Sequence, residues 1–238
     1  MSSVFLTAEW RKLIMANYRV DPNLLKSYLP IGAELDLRDG ICYVSLVGFM
    51  FLNTRVKGIR FPFHADFEEV NLRFYVRFQE NGEWKRGTVF IKEIVPRYMI
   101  ALTANLIYKE HYAALPMRHQ HQVDIDQLRI RYDWKHGDWN SIRVVAGTQL
   151  LDMEPGSEAE FIAEHYYGLS QASTTTTNVY EVEHPRWQMY PVRDWKIEAD
   201  FGKNYGATFD FLSREKPASV FLMEGSEVRV KDRRRLII

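Results

Sequence analysis

The sequence predicts an α+β fold, mainly β, in a single domain over residues 1–238, and three observations carry that expectation. Strand-like runs recur along most of the chain, separated by turn chemistry such as Arg38-Asp39-Gly40, Gln79-Glu80-Asn81-Gly82 and Lys135-His136-Gly137-Asp138. Helix-start signals are few by comparison. No internal repeat, low-complexity linker or shift in composition divides the chain.

Taken in order, Asp21-Pro22 followed by Asn23, Leu24, Leu25 and Tyr28 reads as a helix start, because Asp caps and proline suits the first helical position; Pro30 and Gly32 end it. Residues 35–52 give a short strand, a turn and a long apolar strand. Phe67 to Phe78 and Thr88 to Ile94 read as a second hairpin. Pro96 opens a helix to about Tyr108, and its Met99, Ile100, Leu102, Leu106 and Ile107 predict that it is mostly buried. Strands are expected again at His119 to Asp124, Leu128 to Trp134 and Ile142 to Leu150. Ser157 with Glu160 forms a capping box ahead of Phe161, Ile162 and Tyr166. Thr175 to Glu183, Val192 to Glu198 and Ser219 to Val230 complete the β pattern, with Pro185 and Pro191 marking edges or bends.

Lys plus Arg and Asp plus Glu are both 31, so the net charge is zero and no broad field attracts phosphate backbones; nucleic acid is not an expected partner. The longest uncharged apolar stretch, Ile41 to Leu52, is far shorter than the roughly 20 residues of a membrane helix, so no membrane partner is expected. A lone Cys42 in an apolar strand reads as an inert thiol, and with no signal-peptide pattern the expected location is cytoplasmic. Glycine-rich phosphate loops, dinucleotide fingerprints and the Gly-x-Ser-x-Gly elbow are all missing, and no cofactor is expected.

The most informative segment runs from Phe67 to Phe78. Side chains alternate across a strand, so Val70, Leu72, Phe74, Val76 and Phe78 share one face while Glu69, Asn71, Arg73, Tyr75 and Arg77 share the other. The ordinary reading of the second row is a solvated sheet face. The sharper reading is a polar cavity wall, in which an arginine clamps an anion and Glu69 acts as acid or base. His119 and His121 have metal-like spacing but no accompanying motif, so no metal is expected. His184-Pro185-Arg186-Trp187 reads as a bend that exposes a histidine.

Several stretches resemble a YqjF-like family of uncharacterised bacterial proteins that is distantly similar to acetoacetate decarboxylase. They include Trp10, Met15-Ala16-Asn17-Tyr18, Asp21-Pro22, Leu29-Pro30, Phe67 to Val76, Ile94-Val95-Pro96-Arg97, Ala104-Asn105, Tyr108-Lys109-Glu110-His111-Tyr112, Leu115-Pro116-Met117 and His184 to Trp187, in that order. The resemblance implies an acetoacetate decarboxylase-like mixed β-barrel, closed or nearly closed, with a few packed helices and an interior cavity. It also places Arg11 on a functional arginine and Glu69 on a functional glutamate. The tandem lysines that form the decarboxylase's Schiff base fall here on about His111 and Tyr112, and a second acidic position falls on Ser45, so the chemistry of that family is not carried over whole.

The resulting expectation is a small-molecule-binding protein whose cavity takes a carboxylate- or carbonyl-containing ligand. Glu69 and Lys109 are the candidate catalytic groups, and Arg11, Asn71, Arg73, Tyr75, Tyr112 and His184 the candidate ligand contacts. The alternatives are a Schiff-base lyase using Lys109 or Lys92 on a small keto or carboxylic acid, and a non-enzymatic interaction or sensing domain. A homodimer is expected only as the commonest closed assembly.

Overall fold

A computed structural model describes residues 3–237, with the side chains of Ile107, Tyr108 and Ile237 outside the description. Its strands are β1 (Val4–Val20), β2 (Ala33–Leu35), β3 (Cys42–Val56), β4 (Phe67–Glu80), β5 (Glu83–Val95), β6 (Tyr112–Ala114), β7 (Met117–Val123) and β8 (Leu128–His136), then β9 (Asp138–Ala146), β10 (Leu151–Asp152), β11 (Tyr167–Ser173), β12 (Thr176–Glu183), β13 (Gln188–Tyr190), β14 (Val192–Glu198), β15 (Ser219–Lys231) and β16 (Arg234–Ile237). Helices α1 (Tyr98–Tyr108), α2 (Glu158–Ala163) and α3 (Phe201–Tyr205) are short, and none of the described helices is long and apolar enough to cross a membrane.

Alternation in these strands builds two layers. In the larger sheet the hydrogen-bonded order is β15-β1-β3-β4-β5-β11-β12, and β12 pairs again with β15 at Val182↔Val230 and Glu183↔Arg229. That pairing completes a circuit of seven strands. All neighbours in it are antiparallel except β5 and β11, which run parallel at Tyr167↔Gly87. The smaller sheet, β14-β9-β8-β7, packs on the outside.

Each face of β4 therefore meets a different environment. Val70, Leu72, Phe74, Val76 and Phe78 join Tyr132, Trp134, Ile142 and Val144 of the small sheet in one core. Leu13, Met15, Val47, Phe49, Phe51, Tyr180, Val182, Met223 and Val228 point the other way, into the ring, where α2 adds Phe161 and Ile162. Burial of this apolar area, at roughly 25 cal/mol per Å², is the main stabilising contribution.

Local expectations hold in most places and fail informatively in others. Asp21 does cap the segment after it, accepting from the Asn23 N–H at 2.9 Å, but Pro22–Tyr28 is a 3-10 helix. Ser157 caps α2 as expected, and Glu160 Oε2 accepts in return from the Gly156 N–H at 2.6 Å. Helix α1 is a correction: Tyr98, Met99 and Leu106 are exposed, because the helix crosses the rim of the ring rather than its core. The part of that expectation resting on the Ile107 side chain lies outside the described residues. Strand β1 has no clean period because its register shifts twice against β3, with Lys12 in the left-handed region at φ 55°.

Candidate functional site

The ring encloses a cavity of about 430 Å³. Its apolar wall includes Phe49, Phe51, Phe67 and Phe90, and Phe61, Met99 and Ile100 stand at the opening. Its polar wall starts with Glu69, Asn71 and Arg73, which strand alternation turns inward together. Glu93 on β5 lies opposite Asn71 in the pairing register, and Tyr112 on β6 lies opposite Glu93. Glu110, just before β6, and Tyr180 on β12 complete that end.

Three carboxyls thus share one end of the cavity, two of them buried and Glu110 half-buried. Glu69 and Glu93 are 3% and 2% exposed. Asn71 donates to Glu69 at 2.9 Å, the Tyr112 hydroxyl donates to Glu69 at 3.4 Å, and Tyr180 donates to Glu110 at 2.6 Å. Burial outweighs these bonds, and repulsion from Glu110 adds to it, so the Glu69 carboxyl is pushed up to about 8. Burial likewise raises Glu110 to about 7. Glu93 is raised well above the carboxylate range by burial and by repulsion from both neighbours. Near neutral pH the Glu69 carboxyl mostly keeps its proton and can donate to a carbonyl or carboxylate oxygen.

Arg73 is the opposite case. Only 8% exposed, it forms no ion pair among the described residues, and its Nε has no partner. Its guanidinium lies 5.7 Å from the centre of the Tyr75 ring. A guanidinium held from water without a counterion costs several kcal/mol unless an anion arrives to pair with it.

Beside Tyr75 sits His165, whose ring packs against Tyr75 at 4.6 Å and Phe161 at 5.3 Å. Its Nε2 lies 3.2 Å from Asp36 Oδ2, which also accepts from Arg86 Nε at 2.7 Å. Burial drives the imidazole down to about 4, so the ring is neutral at pH 7. Burial pushes the Asp36 carboxyl up, but hydrogen bonds from His165 and Arg86 outweigh it and hold the group low. The contact to Asp36 assigns the proton to Nε2 and leaves Nδ1, which has no partner in the protein, as an acceptor.

Of the residues expected from sequence, Glu69, Asn71, Arg73 and Tyr112 line the cavity together. Tyr75 supports His165 from behind and bonds Ser45 Oγ at 2.7 Å. Arg11 is a correction: it stays outside the lining, bonded to Glu9 at 2.6 Å and 3.6 Å from Glu224. Lys109 is another, because it caps α1 in the left-handed conformation and is exposed. Lys92 turns away from the cavity to the Asn204 carbonyl, beside a register shift between β4 and β5. His184 stacks between Tyr166 at 4.6 Å and Trp187 at 4.2 Å and borders a separate, more open hollow. Among the described residues no lysine lines the cavity, so the Schiff-base alternative has no nucleophile at either expected position.

His119 and His121 bond Glu68 at 2.6 Å and Tyr132 at 3.0 Å. Burial pushes the Cys42 thiol up to about 11, consistent with an inert thiol. The residues that sequence reasoning missed are Glu93, Glu110, His165 and Tyr180. Glu93 had a signal, an acid within the apolar run from Val89 to Val95. His165 follows the end of α2, where no periodicity assigns a face.

A model of the DUF2071 family, described as an uncharacterized conserved protein, matches residues 7–227. The uncharacterized protein YqjF of Bacillus subtilis (strain 168) is 27% identical over 134 residues, which is 56% of this chain and 54% of that protein. The match thus spans about half the length of that relative. Among solved structures, the enduracididine biosynthesis enzyme MppR with HEPES buffer bound superposes with a TM-score of 0.69 at 12% identity, over 100% of this chain and 89% of that one. Acetoacetate decarboxylase from Legionella pneumophila gives 0.66 at 12% identity, over 98% and 88%. An acetoacetate decarboxylase-like enzyme from Sphingomonas wittichii RW1 gives 0.65 at 11% identity, over 98% and 93%. These likenesses show an acetoacetate decarboxylase-like fold.

Proposed function

The chain belongs to the DUF2071 family, and on that premise we propose that it binds a small carboxylate- or carbonyl-containing molecule inside the strand ring. The observation that carries this reading is Arg73, a guanidinium 8% exposed that faces a ligand-sized cavity without an ion-pair partner. A bound carboxylate supplies the missing charge through a charge-assisted hydrogen bond. Glu69, pushed up to about 8, faces the ligand from further along the same strand, and the Tyr112 hydroxyl fixes the orientation of its carboxyl. A cytoplasmic setting belongs to the same proposal, supported by a single buried cysteine that has no second thiol to pair with.

Calorimetric titration with acetoacetate, pyruvate and longer oxo and simple carboxylic acids tests it. The expected result is saturable binding of at least one acid, weakened tenfold or more in Arg73→Gln, which corresponds to about 1.5–3 kcal/mol for a hydrogen bond to a charged group. Binding that Arg73→Gln leaves unchanged, or no binding across the series, overturns it.

A further inference from the structure

The two ends of the cavity have opposite needs. At the Arg73 end a cation lacks an anion. At the other end Glu69, Glu93 and Glu110 gather with no lysine, arginine or histidine nitrogen at ion-pair distance among the described residues. Asn71 and Tyr112 donate to Glu69 and Tyr180 donates to Glu110, through one amide and two phenols that bring no positive charge.

A second observation, independent of the acids, points the same way. Asn71 is 1% exposed, lines the cavity, spends its amide N–H on Glu69, and has an Oδ1 with no partner. Glu93 Oε2 is likewise unpartnered. Buried polar atoms are almost always satisfied, and the Asn71 Oδ1 is an acceptor in want of a donor. Phe49, Phe51, Phe67 and Phe90 supply the apolar lining of the same cavity, and Arg73 stands beyond Asn71 on the strand that carries Glu69.

We infer that the ligand also carries a protonated amine, seated among Glu69, Glu93 and Glu110 while its acid group meets Arg73. This rests on the reading above and adds the second half of the ligand. Glu69 and Arg73 are four positions apart on β4, roughly 13 Å at about 3.3 Å per residue. The side chains converge inward from that separation, so the ligand is an amino acid in the wide sense, with an apolar spacer between its two charged ends.

The titratable and charged groups that face the amine are Glu69 and Arg73 from β4, Glu93 from β5, Glu110 and Tyr112 at β6, and Tyr180 from β12; His64, His165 and Tyr167 complete the cavity. At pH 7 Glu69, pushed up to about 8, mostly holds its proton, Glu110, raised to about 7, is about half protonated, and burial biases Glu93 toward its protonated form. An arriving ammonium group stabilises the carboxylate form, so binding releases about one proton per amine.

The test compares three matched probes on the full chain: ω-aminoalkanoates, the corresponding alkanoates and the corresponding alkylamines, with the spacer length varied. Calorimetry in buffers of different ionisation enthalpy reads affinity and proton release together. The expected result is that the aminoalkanoate of best length binds at least tenfold more tightly than its alkanoate, with proton release that the alkanoate lacks. Glu93→Gln reduces that preference while Arg73→Gln weakens both acids alike. Equal binding of aminoalkanoate and alkanoate overturns the amine and leaves the acid-binding reading intact. Binding of the alkylamine alone, with proton release, supports the amine seat and overturns the role of Arg73. Binding of none of the three overturns both.

Discussion

Glu93 faces Asn71 across two paired strands and stays 2% exposed with one oxygen unpartnered. Burial and two neighbouring acids raise its proton affinity in the folded protein, so folding retains a proton there that the unfolded chain gives up as pH rises. Glu93→Gln removes that liability while keeping the shape. The variant is expected to match the wild type at pH 5 and to be more stable at pH 8 by about 1–3 kcal/mol, the range for one unsatisfied buried polar group. Thermal melts at the two pH values check it, and an equal effect at both would place the role of Glu93 elsewhere than in its proton. Glu69, Asn71 and Arg73 were legible because a strict two-residue period in Phe67 to Phe78 separates the faces without any knowledge of partners. Which face lies inside was not legible, since an inward polar row and a solvated one have the same pattern.

Among the elements, the β11–β12 hairpin is built around a close approach. Gly168 is paired with Tyr180, and a methyl group at Gly168 would collide with the phenol end of Tyr180 at Cζ. Gly168→Ala is therefore expected to displace the tyrosine, break its bond to Glu110, and cost about 1–3 kcal/mol as an overpacked site. Denaturant unfolding measures the loss; an unchanged midpoint would mean that the hairpin shifts freely. Strand β1 went unread because two register shifts break its period, whereas the capping box at Ser157 was legible as a local motif that needs no tertiary context. The exposed apolar face of α1 reverses the expectation because composition reports only that a helix is apolar, not what covers it.

At the scale of the whole molecule, two groups of buried sites set opposite pH slopes. His165 loses proton affinity on folding, so its contribution is present above its unfolded value of 6.5 and is lost as pH falls through about 4. The glutamates gain proton affinity from a starting value of 4.5, so theirs is present at low pH and lost as pH rises through about 7 for Glu110 and about 8 for Glu69. Stability without ligand is expected to peak between about 4.5 and 6.5 and to decline by pH 8. Melting temperatures across that range test this, and a plateau extending to pH 8 would contradict it. Ring closure was expected only from the family resemblance, since Val182↔Val230 is a contact no local pattern announces. It also imposes an order in time. Val4 lies opposite Lys231, so although β1 can pair with β3 early, its other edge waits for residue 231 to leave the ribosome, a delay on the order of ten seconds or more at about 5–20 residues per second. Hairpins of β3, β4 and β5 can form in the interval, but their inner faces stay wet. The enclosed chamber cannot exist before β15 is in place, and its acids take up their unusual protons only from that moment.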